Sequence, residues 1–501
     1  MAEAIKKKKK KGMPTSFTIL FGCLVFVAIC TWVVSAFTPD VTGASLAQVM
    51  RAPFDGFKNA IDVCLFVIVL GGFLAMVNKT GALDAGIATL IRKLGNRDTL
   101  LIPVLMLLFG ICGSTYGMME ETIPFYILLA SVTFAMGFDS MTGALIVLLG
   151  AGLGTLGSTV NPFSVAIASA ALTDMGIGVN QGVIIPVGFL LFVISEVMGI
   201  VFVMNYAKRV RADKTASAMT ADEMASAELA YASEQQAVDA AADNAAGDAH
   251  SGDLKNAVLT GKQKLVLGLF ALSFLVMIVS FIPWESFGID IFAIGGTPDD
   301  PSTAWSAVLT GLPLGQWYFT ECGIWFFAIT IVIGLVGGLS EKEIVNTFLD
   351  GASTMISTAL VIAVARAISV LMNETGLDVY VLNAAASALK GVSAVVFAPA
   401  SYALWFALSF LIPSSSGMAT VSMPIMGPLA DSLHFSPDIM IMIYVAAHGV
   451  VAMITPTNGV IISGLELAHT SYTTFLKLTA KFFVALTLVT AAVLTALMLV
   501  M

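Results

Sequence analysis

Apolar runs long enough to cross a bilayer recur along the chain, with polar punctuation between them. A helical span needs about 20 such residues. Clean runs lie near 16–37, 57–77, 183–207, 264–282, 319–338, 352–373 and 476–499. Three further stretches, 99–138, 141–172 and 394–468, are just as apolar but are punctured by Gly, Ser, Thr, Asn and Pro. Irregular backbone survives at membrane depth only where protein or a water-filled cavity satisfies its polar groups. The pattern predicts an all-α polytopic membrane protein. Its punctured stretches are expected to hold re-entrant hairpins (99–138 and 394–431) and broken transmembrane helices (141–172 and 436–468).

Composition agrees. Of 501 residues 58% are hydrophobic and 11% charged, and a soluble chain of that kind would expose large apolar patches. The net charge of -9 comes partly from one polar stretch, 208–263, rich in Ala, Ser, Asp and Glu and poor in aromatics. That stretch reads as a cytoplasmic linker without a core of its own, with Ala-rich 220–248 a candidate helix. Basic residues do not cluster on an aromatic-rich module, which argues against nucleic acid as a partner. Cys23, Cys30, Cys64, Cys112 and Cys322 lack metal or CxxC spacing and read as small buried hydrophobes. The 25 Met read as packing residues. The N-terminus, 1–15, carries Lys6 to Lys11 ahead of a run long enough to span, so it reads as the cytoplasmic end of an uncleaved first helix.

The two halves repeat each other. Phe54-Asp55-Gly56 and Asn78-Lys79-Thr80-Gly81 return as Leu349-Asp350-Gly351 and Asn373-Glu374-Thr375-Gly376. Gly113 to Pro124 then matches Pro413 to Pro424, and Gly157 to Pro162 matches Ile454 to Gly459. This divides the chain into a first repeat, 16–207, the linker 208–263, an extra span with an outer loop, 264–318, and a second repeat, 319–501. Basic residues set the orientation. Arg92, Lys93 and Arg97 in the amphipathic stretch 80–97, then Lys208, Arg209 and Arg211, then Lys255, Lys262 and Lys264 all fall inside, while 285–316 carries no Lys or Arg. Asp55 then lies outside and Asp350 inside. The repeats are inverted, the signature of secondary transporters, and the C-terminus lies outside. The same parity holds if 99–138 spans twice.

The chemistry sits where the chain is interrupted. Ser114, Thr115, Tyr116 and Gly117 mark one hairpin tip, and Ser414, Ser415 and Ser416 the other. Ser158, Thr159 and Asn161 mark one helix break, and Thr455, Thr457 and Asn458 the other. Broken helices free N–H and C=O groups that bind ions, and the neutral side chains hold a carboxylate or Na⁺. Close helix packing is the competing use of such small residues. Glu120 and Glu121 follow the first tip, and their repeat mates are Thr420 and Val421. An ionised group at the bilayer centre costs at least about 2.5 kcal/mol, so it faces a cavity or a partner. They are candidates for a substrate amino group, a cation or a proton, with a helix cap as the plainer role. Arg366, whose mate is Gly71, suits a carboxylate bidentately, from substrate or from those glutamates. His448 reads more readily as a satisfied core histidine than as a titrating group. Asp62 and Glu196 lie inside spans without an assigned role. Asp55 and Asp350 read as helix caps. No HExxH, GxSxG or Asp dyad is present, which argues against an enzyme. Inverted broken helices suit alternating access better than a channel.

The tip Gly113-Ser-Thr-Tyr-Gly-Met-Met-Glu-Glu-Thr122, the second tip Ser414-Ser-Ser-Gly-Met-Ala-Thr420 and the break at Asn161-Pro162 resemble the YfcC family of the C4-dicarboxylate anaerobic carrier group. That group is similar to a wider ion-transporter superfamily. The resemblance covers nearly the whole chain outside 208–263. The superfamily's tips read Ser-Asn-Thr, and here the Asn is missing. The resemblance implies a homodimeric elevator of the bacterial inner membrane, in which a scaffold domain dimerises and a transport domain holding both hairpins and both breaks slides. Ser114, Thr115, Asn161, Ser414, Ser415 and Asn458 would line substrate or ion sites, with Na⁺ near Ser114, Asn161, Ser414 and Asn458, or H⁺, as the coupling ion. No cofactor is expected, and lipid is. Two carboxylates beside the tip repel a dianion and attract an ammonium or guanidinium. The expected cargo is therefore an amino acid, and a basic one, with a C4-dicarboxylate or other carboxylate as the alternative and an ion channel as a remote one.

Overall fold

The computed structural model describes residues 16–83, 85, 86, 89, 99–173, 175–231, 260–282, 284–297 and 300–501. The basic N-terminus, most of 84–98 with Arg92, Lys93 and Arg97, and the linker's 232–259 lie outside them. Among the described residues six helices are long and apolar enough to cross a membrane: Ile61–Lys79, Gln181–Ala212, Gly261–Phe281, Phe319–Gly337, Ile356–Thr375 and Tyr472–Val500.

Two groups of helices are distinguishable by packing. The first contains α1 (Ser16–Ser35), α2 (Leu46–Asn59) and α3 (Ile61–Lys79). The second half of the chain adds to it α9 (Gly261–Phe281), α10 (Phe319–Gly337), α11 (Glu341–Thr354) and α12 (Ile356–Thr375). Here α2 packs along α12 while α11 packs along α3. The contacts are backbone-close. A methyl on Gly71 would fall 2.6 Å from the Gly351 carbonyl oxygen, and one on Gly351 would fall 2.4 Å from that of Gly71. Gly56 sits as tightly on Ala363 and Ala367.

The second group runs through α4 (Leu101–Tyr116), α5 (Ile123–Ala135), α6 (Ser140–Leu156), α7 (Ile167–Thr173) and α8 (Gln181–Ala212). α13 (Leu377–Ala388) bridges from α12 into it. The group then closes with α14 (Ala394–Ser409), α15 (Ser415–Ser432), α16 (Pro437–Ala452), α17 (Gly459–Leu467) and α18 (Tyr472–Val500). α6 is buried at every residue and α16 at every residue but Pro437. Helices apolar on all sides belong in the centre of a bundle, and these two cross there. A methyl on Gly152 would run into Met453, and one on Gly449 into Leu156.

Two expectations change. Asp55 and Asp350 cap nothing: both lie inside short helices, Asp55 between Arg51 (3.8 Å) and Lys58 (3.2 Å). The linker, too, starts late and starts docked. α8 continues to Ala212, and Met219, Ala227 and Tyr231 beyond it are buried. The reason is a set of partners at two helix N-termini. Buried Asp139 caps α6 by accepting from Thr142 N at 2.9 Å, and it also accepts from the hydroxyls of Tyr206 and Ser217. Glu223 accepts from Ser471 N and Thr474 Oγ1, both at 2.9 Å, at the start of α18.

Partial burial pushes the Glu223 carboxyl up, but hydrogen bonds from Ser471, Thr220 and Thr474 outweigh it and hold the group below the ordinary carboxylate range. Its folded pKa is therefore depressed. The stabilisation is complete above the unfolded value, about 4.3, and is lost as pH falls through the folded one. Hydrogen exchange in 217–231, corrected for intrinsic rates, is expected to accelerate on acidification through that window, and much less so in Glu223→Gln. An unchanged acid response in the variant would assign the release to another group.

Candidate functional site

α4 is 16 residues long, about 24 Å at 1.5 Å per residue and short of a roughly 30 Å hydrocarbon core. It stops at Gly117, which takes φ +79° and donates its N–H to the Gly113 carbonyl. A side chain at 117 would meet both the left-handed backbone and the Asn161 amide 2.5 Å away, so the tip rests against the break in α6. Hydrogen bonds fasten the two. Ser114 Oγ donates to the Gly157 carbonyl (2.7 Å), and the Thr159 N–H donates to the Ser114 carbonyl (2.8 Å). Asn161 accepts from Phe163 N (2.9 Å) and donates to Ser158 Oγ (3.0 Å). The carboxamide thus caps the segment that resumes at Pro162.

The second half repeats this arrangement. Ser414 accepts from Gly417 N (3.2 Å) and caps α15. Thr457 Oγ1 donates to the Phe410 carbonyl (2.8 Å) and contacts Thr455 Oγ1 (2.7 Å). Asn458 accepts from Val460 N (3.0 Å) to start α17 and donates to the Ala452 carbonyl (2.8 Å).

Both tips and both breaks open onto one cavity of about 310 Å³, at the lower end of the roughly 300–1,000 Å³ usual for small-molecule sites. Of the residues singled out from sequence, Gly117, Glu120, Asn161, Arg366, Ser414, Ser415, Ser416, Thr457 and Asn458 line it. The others stand behind it. Ser114, Ser158, Thr159 and Thr455 are spent on the fastenings above, Ser158 donating to the Thr155 carbonyl. Thr115 turns its hydroxyl back to the Ile111 carbonyl. Tyr116 is fully buried and stacks on Phe281. Glu121 is buried and accepts from Met119 N (3.1 Å).

Sequence reading left Asp62 without a role, yet it lines the cavity. The available signal was an acid in the first turn of an otherwise apolar span. Tyr318, Phe319 and Phe163 form an aromatic wall, with Phe163 stacked on Phe319 at 5.6 Å. These were missed because nothing local separates them from lipid-facing aromatics. His448 also reaches the cavity, with Nδ1 3.0 Å from Ser409 Oγ. Among the described residues no three His, Cys, Asp or Glu gather as metal ligands. The only ion pairs there are those of Asp55 with Arg51 and Lys58, so Asp62, Glu120 and Arg366 face the cavity without a closed salt bridge. The wall is divided between the two helix groups. Asp62 and Arg366 come from α3 and α12, while the tips, the breaks and Glu120 belong to the other group.

An all-helical bundle with one polar cavity at interrupted helices defines a multi-pass membrane carrier. The C4-dicarboxylate anaerobic carrier family model matches residues 39–500, and the chain belongs to that family. An uncharacterized Haemophilus influenzae protein is 26% identical over 95% of both chains. YfcC of Escherichia coli K12, whose name carries a provisional assignment as a basic amino acid antiporter, is 25% identical over 88% of this chain and 79% of its own. Among solved structures, the YdaH transporter of Alcanivorax borkumensis is 15% identical, covering 96% of this chain and 98% of its own at a TM-score of 0.43. MtrF of Neisseria gonorrhoeae is 16% identical, covering 96% and 95% at 0.39.

Proposed function

We propose that this protein is a secondary carrier of a small carboxylate-bearing solute, held between Arg366 and the Ser and Asn side chains of the two tips and two breaks. The carrying observation is that four interruptions, far apart in sequence, converge on one cavity with a guanidinium in its wall. Arg366 offers a forked donor to a carboxylate, and Ser415, Ser416 and Asn458 add neutral groups around it. The family match favours a C4-dicarboxylate over the basic amino acid expected from the sequence. The amino-acid reading keeps one specific support, the acids Glu120 and Asp62 in the same wall, besides the name of the Escherichia coli relative.

Several features support inverted repeats and sliding. The exchanged pairs α2 with α12 and α11 with α3, and the mirrored contacts Gly152–Met453 and Gly449–Leu156, are what a two-fold relation between the halves requires. Tip helices too short to span fit re-entrant hairpins, and few contacts join the two helix groups compared with those inside each. On this reading α1–α3 and α9–α13 form the scaffold, through which two copies pair. The remaining helices form the transport domain, with Na⁺ or H⁺ as coupling ion. The N-terminus faces the cytoplasm and the C-terminus the outside.

Counterflow in liposomes tests the substrate. Vesicles preloaded with succinate or fumarate are expected to accumulate labelled dicarboxylate. Vesicles loaded with arginine, lysine or ornithine are expected to stay near background. Exchange of the basic amino acids alone would reverse the order of the two readings, and ohmic current in a planar bilayer would replace both by a channel.

A further inference from the structure

The charges around the cavity are distributed unevenly between the two helix groups. Asp62 on α3 and Arg366 on α12 both line the cavity from one helix group, so the charges on that side sum to zero. Glu120 stands on the other side, in the turn Glu120–Thr122 that follows the first tip. That turn packs on α3, α5, α6 and α17. From these, only Asp62 of α3 brings a charged side chain to the cavity; Glu466 of α17 is exposed at its far end. Glu121 turns away to Met119 N. His448 is 4% exposed and engaged by Ser409.

All three charged groups depart from the repeat. The positions equivalent to Glu120, Arg366 and Asp62 are Thr420, Gly71 and Ser357. A feature needed only to shape a symmetric cavity would appear in both halves. One present in a single half serves something directional.

Sliding carries Glu120 out of the field of Arg366. A bare carboxylate drawn through a low-dielectric contact is expensive, and an ion left behind without its partner is too. Arg366 keeps Asp62 on its own side of the cavity. Among the described residues that line the cavity, no Lys or Arg travels with Glu120, so its charge is balanced only if it takes a cation along.

We propose that Glu120 is the coupling site of this carrier, binding one monovalent cation, a proton or Na⁺, that must be present before the transport group can move, while Asp62 and Arg366 stay behind with their charges balanced. A proton adds to a Glu120 carboxylate oxygen on the loading side and leaves from it on the other; Na⁺ binds and dissociates intact. The inference rests on the sliding carrier proposed above.

The test uses the full-length protein in liposomes. Wild type is expected to accumulate the solute on an imposed gradient, and separate pH and Na⁺ gradients identify the ion. Glu120→Gln is expected to keep counterflow within about threefold, since exchange needs no net cation movement, and to lose gradient-driven accumulation at least tenfold. Glu466→Gln, which removes an exposed acid outside the cavity, should keep both. A Glu120→Gln protein that accumulates like wild type overturns the assignment, as does a His448→Gln protein that alone loses accumulation. A solute-free readout decides the ion site even if no carboxylate proves to be carried. Hydrogen exchange across 155–167, corrected for intrinsic rates, should respond to pH or Na⁺ in wild type and to neither in Glu120→Gln; a response shared by both proteins overturns it. Absence of counterflow in wild type, with that ion response intact, would instead refute the proposed cargo.

Discussion

Arg366→Ala is expected to lower solute uptake at limiting concentration by about 100-fold, with most of the loss in KM. Charge-assisted hydrogen bonds are worth roughly 1.5–3 kcal/mol, and a forked pair facing a cavity without a competing salt bridge sits at the upper end. Tenfold corresponds to about 1.4 kcal/mol, so a hundredfold is about 2.8 kcal/mol, the upper end for one such bond. Arg366→Lys restores the charge but not the fork and should recover only part of the loss, to within about tenfold of wild type. Initial rates against concentration in liposomes separate the parameters. An Arg366→Ala protein with an unchanged KM would remove this side chain from cargo binding.

The second large effect concerns stability. Gly154→Ala places a methyl 2.0 Å from the Gly110 carbonyl oxygen, and Gly113→Ala places one 2.1 Å from that of Ala151. These obstacles are backbone, so no side chain can swing aside. α4 must lift from α6, and the tip loses its seat on the break. Overpacking typically costs 1–3 kcal/mol at one site, and the double variant is expected to lose several degrees in melting temperature and its monodisperse elution. Gly323→Ala in α10 is the control, since nothing lies within 4 Å of the added methyl and helix propensity gains up to about 1 kcal/mol. Equal melting of all these proteins would mean that α4 and α6 are not held by this close approach.

The sequence carried the spans because length and apolarity set them directly. The run 352–373, for example, became Ile356–Thr375. The interruptions before Pro162 and Gly459 were legible for a different reason: Asn161 and Asn458 each stand where a carboxamide must restart a helix, and their spacing repeats. Which side chains reach the cavity was not legible. Thr115 and Ser416 look alike in a motif, yet one hydroxyl turns into its own helix and the other opens on the site. Asp62 is assigned to the cavity by packing between α3 and α12 that no local pattern encodes. The docking of 217–231 likewise depends on Asp139 and on Ser471, dozens to hundreds of positions away.

The swapped approaches of Gly152 to Met453 and of Gly449 to Leu156 have a consequence for how the opposite-facing shape is encoded. If the halves are inverted, no separate instruction for that shape is needed. It follows when each half adopts the pose its counterpart holds now. A substitution that favours one pose in the first half should then be offset by the equivalent substitution in the second, as two weights on opposite arms of a balance.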